Sequence, residues 1–556
     1  MLATLENAFP KLSEHELELL EPLSICQEFA DGEFVFRAGD PTIDLYVVET
    51  GFLDILNPCD SNKVIVTHEP GHFSGDIDLL IRRPPLISGV ARGRTRVLRV
   101  PQDRVHEVLV KIPNLSDRLM TAFHLRREIL SKAPRLGLKV FGPIRCRDTT
   151  VLREFLFKNF VPFVWLDPEL EGVQKELKSL EGPLEELEKL KPASSHKFPV
   201  VECPSGQVLL RPTLRELATA ANVWHHCPSQ TVDLVVIGAG PAGLAAAIYA
   251  SSEGVSTLVI DKLGPGGQAG GSSKIENFIG FPAGLTGAEL AMRSVLQMLK
   301  FGATLVAPAV VESIEMGKGP KDYHLVHLDC GAAIHARVIL IATGVTWRKL
   351  DAENAERFER QGIYYACTSV EALVHDREDV AVVGAGNSAG QAAVYLADCC
   401  PNRTVHIMAR GKFGPSMSDY LNQRIAATPN IRVHENTHIT TVNGDMNISS
   451  VEILSNGKKE TLPIRAVFVF IGAEPGCDWL PKSVKRDEKG FVLTGSEVIA
   501  SGHWPITDRT PCPLETSVPG LLAAGDIRSG STKRVGFAVG DGSLAITCVH
   551  HLMSKG

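Results

Sequence analysis

The chain has 556 residues, 44% of them hydrophobic and 22% charged, with a formal net charge of −7. That length exceeds one ordinary core and implies roughly three to four domains of about 100–200 residues. The composition is that of folded soluble chains and excludes global disorder. Short basic patches such as Arg82-Arg83 and Arg92 to Arg96 are no nucleic-acid footprint. No apolar run approaches the ~18 residues of a membrane span, and with no basic-then-apolar leader a cytoplasmic protein is expected.

From about 25 to 100 the chain reads as short strands: Gly32 to Arg37, Asp44 to Val48 and Lys63 to His68, punctuated by Gly39-Asp40, Gly51 and Gly71. This pattern predicts a β-roll, with a helix at about 12–20 before it and another at about 103–133 after it, closing near Ala133-Pro134. A small α/β domain follows. Its strands are expected at Leu138 to Phe141, Pro162 to Leu166, Phe198 to Val201 and Gln207 to Leu210, and its helices at Thr150 to Asn159 and Leu214 to Ala221. The Glu-, Lys- and Leu-rich run 169–191 reads as an exposed amphipathic helix interrupted at Gly182-Pro183.

Beyond 230 strands and helices alternate, with two glycine-rich strand-to-helix turns. Val232 to Ile237 leads into Gly238-Ala239-Gly240-Pro241-Ala242-Gly243 and a helix to Ser252. The glycines permit a tight turn, close approach of a pyrophosphate, and close helix packing, while the helix N-terminus offers free N–H groups. Asp261, ending the next strand about 20 residues on, suits ribose hydroxyls. Val380 to Val383 leads into Gly384-Ala385-Gly386-Asn387-Ser388-Ala389, but here the strand Val405 to Met408 is followed by Ala409-Arg410-Gly411-Lys412. A missing acid and a present Arg410 favour a 2′-phosphate, hence NADPH over NADH. Two dinucleotide modules imply two nucleotides.

The expected architecture is multidomain: a β-roll with helices over 1–135, a small α/β domain over 137–225, then two Rossmann-type α/β dinucleotide-binding modules. The first of these is split between 230–348 and 472–556, and 349–471 forms the second. The twelve cysteines include no Cys-x-x-Cys pair, match no zinc-ligand spacing, and are expected to be reduced. No metal is expected.

Five motifs fall in an order and spacing that closely resemble the thioredoxin reductase family over about 231–556: Gly264-Pro265-Gly266-Gly267-Gln268, Ile275-Glu276-Asn277, Ala342-Thr343-Gly344, Gly384 to Ala389, and Ala523-Ala524-Gly525-Asp526. The resemblance implies FAD and NADPH as cofactors. It places Gly267, Gln268 and Asn277 at the flavin, Ala342, Thr343 and Gly344 where the chain returns to the FAD site, Gly525 and Asp526 at the ribitol, and Arg534 and Val535 near the isoalloxazine. The family's Cys-x-x-Cys-Asp falls here at Tyr364 to Glu371, where Cys367 stands alone. A disulfide needs two thiols, so an internal dithiol relay is not expected; Cys367 is a redox candidate or a buried bystander. Residues 138–223 resemble a glutaredoxin or thioredoxin fold, with Cys146 at a helix start beside Arg147 and Phe198-Pro199 at the cis-proline position. That unit is expected to act as a scaffold or docking module, or as a monothiol redox site at Cys146. The N-terminal domain resembles the cyclic-nucleotide-binding family through Phe29, Gly32-Glu33, Arg37, Gly39-Asp40, Leu45 to Val48 and Gly51, but its phosphate cassette, Gly75-Asp76-Ile77-Asp78-Leu79 then Pro84-Pro85, carries Pro85 where the family has Arg.

The expected function is hydride transfer from NADPH to FAD and onward to a small redox protein such as a ferredoxin, an external disulfide, or a quinone, in a homodimer without nucleic-acid or membrane partners. The alternative is a sensory flavoprotein in which the β-roll reads an effector.

Overall fold

The computed structural model describes every residue except 1–5, 132–135, 145, 191–196, 224–228, 273–274, 276, 318–321, 366, 368–371, 373, 415–416, 446 and 555–556. The expected helix stop at Ala133-Pro134, Glu276 and Cys227 therefore lie outside the described residues. No helix among those described is long and apolar enough to cross a membrane.

The first unit is an antiparallel sheet ordered β1 (Ile25–Phe29), β5 (Ser88–Val100), β3 (Leu45–Asn57), β4 (Lys63–His68), with β2 (Phe34–Phe36) also on β5. Its core joins both faces of β3 to Phe73 and Phe123. Strand β3 corrects the sequence expectation, which stopped at Val48. Gly51, read as a turn, is a bulge at φ +79° inside a 13-residue strand, and Thr95 fills the gap by accepting from the Phe52 amide and donating to its carbonyl. Helices flank the sheet at α1 (Glu14–Leu20), α2 (Ile77–Ile81), α3 (Val105–Lys111) and α4 (Pro113–Ser131). The single expected helix from 103 is thus split, because Pro113 cannot donate into the turn before it.

The second unit has strand order β7 (Phe163–Leu166), β6 (Leu138–Phe141), β8 (Val200–Glu202), β9 (Val208–Leu210); β6 and β7 run parallel and the other pairs antiparallel. Helix α5 (Arg147–Lys158) connects the parallel pair, and the Phe198–Pro199 peptide is cis. The charged run forms α6 (Glu171–Lys178) and α7 (Glu181–Leu190). Its break precedes Gly182-Pro183, since a proline is tolerated in a first turn whose N–H groups lack helical partners. Helix α8 (Leu214–Ala220) closes the unit, with Thr213 and Glu216 forming a capping box.

The third sheet carries the first glycine turn. Parallel strands β12 (Thr304–Val306), β11 (Thr257–Ile260), β10 (Gln230–Ile237) and β15 (Ala333–Ile341) are followed by antiparallel β14 (His324–Leu328) and β13 (Val311–Glu315); β26 (Leu521–Ala523) also pairs with β15. Helices α9 (Pro241–Ser252) and α10 (Gly287–Lys300) lie against it, and the last helix of the chain, Val535–Ser554, packs on α9. The chain leaves this sheet at β16 (Thr346–Trp347) and returns at β25 (Ala473–Glu474), which pair antiparallel. Between them lies an all-parallel sheet β17 (Ile363–Tyr364), β24 (Ala466–Val469), β18 (Val380–Val383), β19 (Val405–Met408), β20 (Ile431–His434), with α11 (Asn387–Cys399) following β18. An antiparallel sheet of β21 (Thr437–Gly444), β22 (Ile448–Ser455) and β23 (Lys458–Leu462) completes this inserted module.

Candidate active site: a dinucleotide cavity and a second glycine turn

A cavity of about 580 Å³ opens at the carboxyl ends of β10 and β15, within the ~300–1,000 Å³ of small-molecule sites. Gly238, at φ +109°, turns the chain beneath it, and a Cβ there would stand 2.4 Å from the Ala342 carbonyl oxygen. A Cβ on Gly243 would lie 1.9 Å from the Gly238 carbonyl oxygen, so this glycine lets α9 sit on the turn. Gly240 differs. It faces open space, with only the Gly267 Cα within 3.8 Å of an added Cβ, at the N-cap of α9. Leu244 donates to the Gly240 carbonyl, leaving the Ala242 and Gly243 amides ahead of the first helical bond. This open, positively polarised helix end suits a pyrophosphate.

The cavity gathers most of the residues singled out in the sequence: Gly238, Gly240, Asp261, Gly267, Gln268, Ala342, Thr343, Gly344, Asp526, Arg534 and Val535 all line it. Asp261 accepts from the amides of Ala239 (2.8 Å), Leu263 (2.9 Å) and Gly264 (2.9 Å). An ionised carboxylate has about four acceptor sites, so one is left for a ribose hydroxyl. Gln268 is held by a hydrogen bond from its Nε2 to the Val345 carbonyl. Asp526 Oδ1 is buried on the cavity wall without a hydrogen-bond partner. Burial, helped by Asp541 and opposed by Lys533, raises the Asp526 pKa. A buried acceptor left without a donor is costly; the hydroxyls of a ribitol chain would supply one.

Gly525 and Asn277, like Gly243, stand off the wall. Gly525 is buried behind it, its amide held by Asp541 at 3.0 Å. Asn277 is exposed and outside the lining, in a loop whose base is the Ile275–Leu285 bridge and in which Ile279 is 91% exposed. Sequence reasoning missed Asp541, which also holds Arg528 through both carboxylate oxygens at 3.1 Å, and it missed Lys533, Trp347 and Trp479 at the cavity. A carboxylate 15 residues beyond Asp526 carries no local signal; only the packing of the last helix brings it back.

The second glycine turn stands at the carboxyl end of β18. A Cβ on Gly384 would meet the Phe470 carbonyl oxygen at 2.5 Å, whereas Gly386, the N-cap of α11, faces open space. Gly390 donates to the Gly386 carbonyl, so the Asn387, Ser388 and Ala389 amides precede the first helical bond. The Asn387 side chain accepts from the Ser418 amide. Arg410 follows β19, exposed.

This geometry, two glycine turns on parallel sheets with one module inserted into the other, has a match in known proteins. Residues 232–542 match the pyridine nucleotide-disulphide oxidoreductase family. The chain belongs to that family. Residues 26–111 match the cyclic nucleotide-binding domain. A thioredoxin reductase of Listeria innocua is 31% identical over 317 residues, 56% of this chain and 91% of that protein. An NADH dehydrogenase of Bacillus subtilis is 28% identical over 345 residues, 61% of this chain and 62% of that protein. An alkyl hydroperoxide reductase component of Staphylococcus aureus is 27% identical over 347 residues, 62% and 63% respectively. The chain thus spans about six-tenths of the length of these last two relatives. The crystal structure of Lactococcus lactis thioredoxin reductase (FR conformation) superposes with a TM-score of 0.51 at 26% identity, covering 58% of this chain and all of that one. Thioredoxin reductase-like members of the family use FAD and NADPH, and the open helix end, Asp261 and the unpartnered Asp526 fit the first of these.

Among the described residues, the cavity at the β-roll's cassette is about 50 Å³. Asp76 caps α2, and both Asp76 and Asp78 pair with Arg127 Nη2 from α4, at 2.7 and 2.5 Å. Burial pushes Asp76 up to about 6, with Arg127 opposing and Asp78 adding. Arg92, on β5, lies beside Asp54 and the Phe52 ring.

Cys146 is the N-cap of α5, partly buried, and Cys367 is partly buried against the core of the inserted module. All eleven cysteines described are free thiols. No group of three or more His, Cys, Asp or Glu side chains suited to a metal occurs among the described residues.

Proposed function

We propose that this chain is an FAD-dependent NADPH oxidoreductase of the thioredoxin reductase type, acting as a cytoplasmic homodimer, that delivers electrons to an acceptor outside the chain. The observation that carries this reading is the cavity, in which the Gly240 helix end and Asp526 Oδ1 offer a donor set and an acceptor on one lining. FAD, when bound, supplies reversible acceptance of a hydride from NADPH.

The chain's own residues then divide the work. The Ala242 and Gly243 amides at the start of α9 bind the pyrophosphate, Asp261 takes the ribose, and Asp526 takes a ribitol hydroxyl. Gln268 and Thr343 line the same cavity, and Arg534 and Val535 line it where the resemblance puts the isoalloxazine. The Asn387 to Ala389 amides bind the NADPH pyrophosphate, and Arg410 its 2′-phosphate.

The acceptor is a ferredoxin-like protein, an external disulfide or a quinone, because Cys367 lacks a second thiol at Cys-x-x-Cys spacing. The test is NADPH-dependent reduction of an artificial acceptor by the purified protein, with thioredoxin as a poor substrate and a Cys367→Ser variant nearly as active as the parent. Loss of acceptor reduction in that variant at normal flavin content would make Cys367 a redox participant and refute the external route.

A further inference from the structure

We propose that the N-terminal β-roll clamps the flavin loop 263–268 through the C-terminal end of α5, which makes Arg83, Lys158 and Asn159 positioning residues for a reaction none of them touches. The inference rests on the reading of the 580 Å³ cavity as the FAD site.

The contacts form one continuous path. In the β-roll, Arg127 binds Asp76 and Asp78, and the Arg83 amide donates to the Asp78 carbonyl at 2.9 Å. Both arginines then leave their own domain. Arg83 Nη1 donates to the Asn159 carbonyl at 2.7 Å and Arg127 Nη1 to the Phe160 carbonyl at 3.3 Å. Carbonyls at a helix end lack helical partners and carry the negative end of the dipole, so two guanidinium groups are suited to hold them. From that same end, Lys158 Nζ donates to the Gly267 carbonyl at 3.1 Å and Asn159 Nδ2 to the Leu263 carbonyl at 2.7 Å. Asn159 is 2% exposed, and a Cβ on Gly264 would lie 2.7 Å from its Nδ2, so the loop lies directly on this side chain.

The other face of the loop is cavity wall. The Gly266 amide donates to the Ala239 carbonyl at 2.8 Å, and Gly267 and Gln268 line the cavity. The loop is therefore held between the pyrophosphate turn and a helix end that the β-roll fixes. An apolar contact runs beside the polar path, where Ile77 packs with Met292 and Leu296 of α10 and with Phe160. The cassette acids that would face a ligand are occupied by the protein's own Arg127, and the output of that cluster is the flavin loop.

Amide hydrogen exchange on the full-length protein tests this without depending on turnover. In Arg83→Met, exchange across 263–271 should accelerate by about tenfold, the scale of one lost charge-assisted hydrogen bond, while β3 and β5 stay protected. FAD should dissociate several-fold faster, and Arg83→Lys should restore most of both effects. Asn159→Ala, which removes the loop contact from the second domain, should give the same acceleration and serves where Arg83→Met does not fold. Parental exchange at 263–271 in these variants, with FAD bound, would overturn the clamp alone. A parent protein that binds no FAD would instead overturn the proposed function, and the positioning role with it.

Discussion

Replacing Gly240 by Ala should abolish tight FAD binding while leaving the fold intact. Gly240 has φ −75° and ψ −178°, extended backbone that alanine adopts without strain, and the new methyl would meet only the Gly267 Cα at 3.8 Å, an ordinary contact. The change in apo stability should therefore stay within ~0.5 kcal/mol. The methyl projects where a pyrophosphate must approach the Ala242 and Gly243 amides. Charge-assisted hydrogen bonds are each worth about 1.5–3 kcal/mol, so losing them should cost about 3–5 kcal/mol, or roughly 150- to 5,000-fold in Kd; Gly240→Val should be more severe. Gly243→Ala is the contrasting control, since its Cβ would sit 1.9 Å from a carbonyl oxygen and must break the packing of α9. The assay is fluorescence titration of the apo variant with FAD, alongside urea unfolding. A Kd for Gly240→Ala within about threefold of the parent, at unchanged stability, would refute the assignment of this turn.

Arg410→Ala should erode the preference for NADPH over NADH by roughly 10- to 150-fold, the value of a charge-assisted phosphate contact; an unchanged ratio of the two kcat/KM values would remove Arg410 from the site. Cyclic AMP and cyclic GMP should bind the N-terminal domain about 100-fold or more below the affinity of an intact cassette, since Pro85 replaces the phosphate arginine and Arg127 occupies both cassette acids; a low-micromolar Kd by calorimetry for either nucleotide would overturn this. Stability should fall with acid through His406, whose Nδ1 lies 3.0 Å from His434 Nε2 and whose pKa burial and the neighbouring His434 hold down to about 4. Below ~6.5 the unfolded chain takes up a proton that the folded one refuses, so stability should decline from pH ~6.5 to ~4 by on the order of 2–3 kcal/mol; a His406→Gln variant with the parent's pH slope in urea unfolding would contradict it.

Local patterns made much of this molecule legible. The turns at Gly238 and Gly384 could be read because a strand, a fixed glycine spacing and a helix start lie within about a dozen residues. Where the reading stopped short, tertiary structure had overruled punctuation. Gly51 is a bulge because Thr95, 44 positions away, satisfies the neighbouring strand. Pro183 fits inside a helix because it falls in the first turn. The clamp by Asp541 on Gly525 and Arg528, and the path from Arg83 through Asn159 to Leu263, join residues with no sequence relation. Asn277 marks the opposite limit, a motif residue that its loop carries away from the cavity.

Electrons are proposed to enter this chain from NADPH at a flavin in the cavity lined by Gly240 and Asp526. Anaerobic stopped-flow mixing of the purified, FAD-loaded, full-length protein with NADPH tests it most directly. Rapid bleaching of the visible flavin band is expected, slower with NADH at equal concentration. Protein that holds stoichiometric FAD yet keeps its oxidised spectrum in excess NADPH would contradict it.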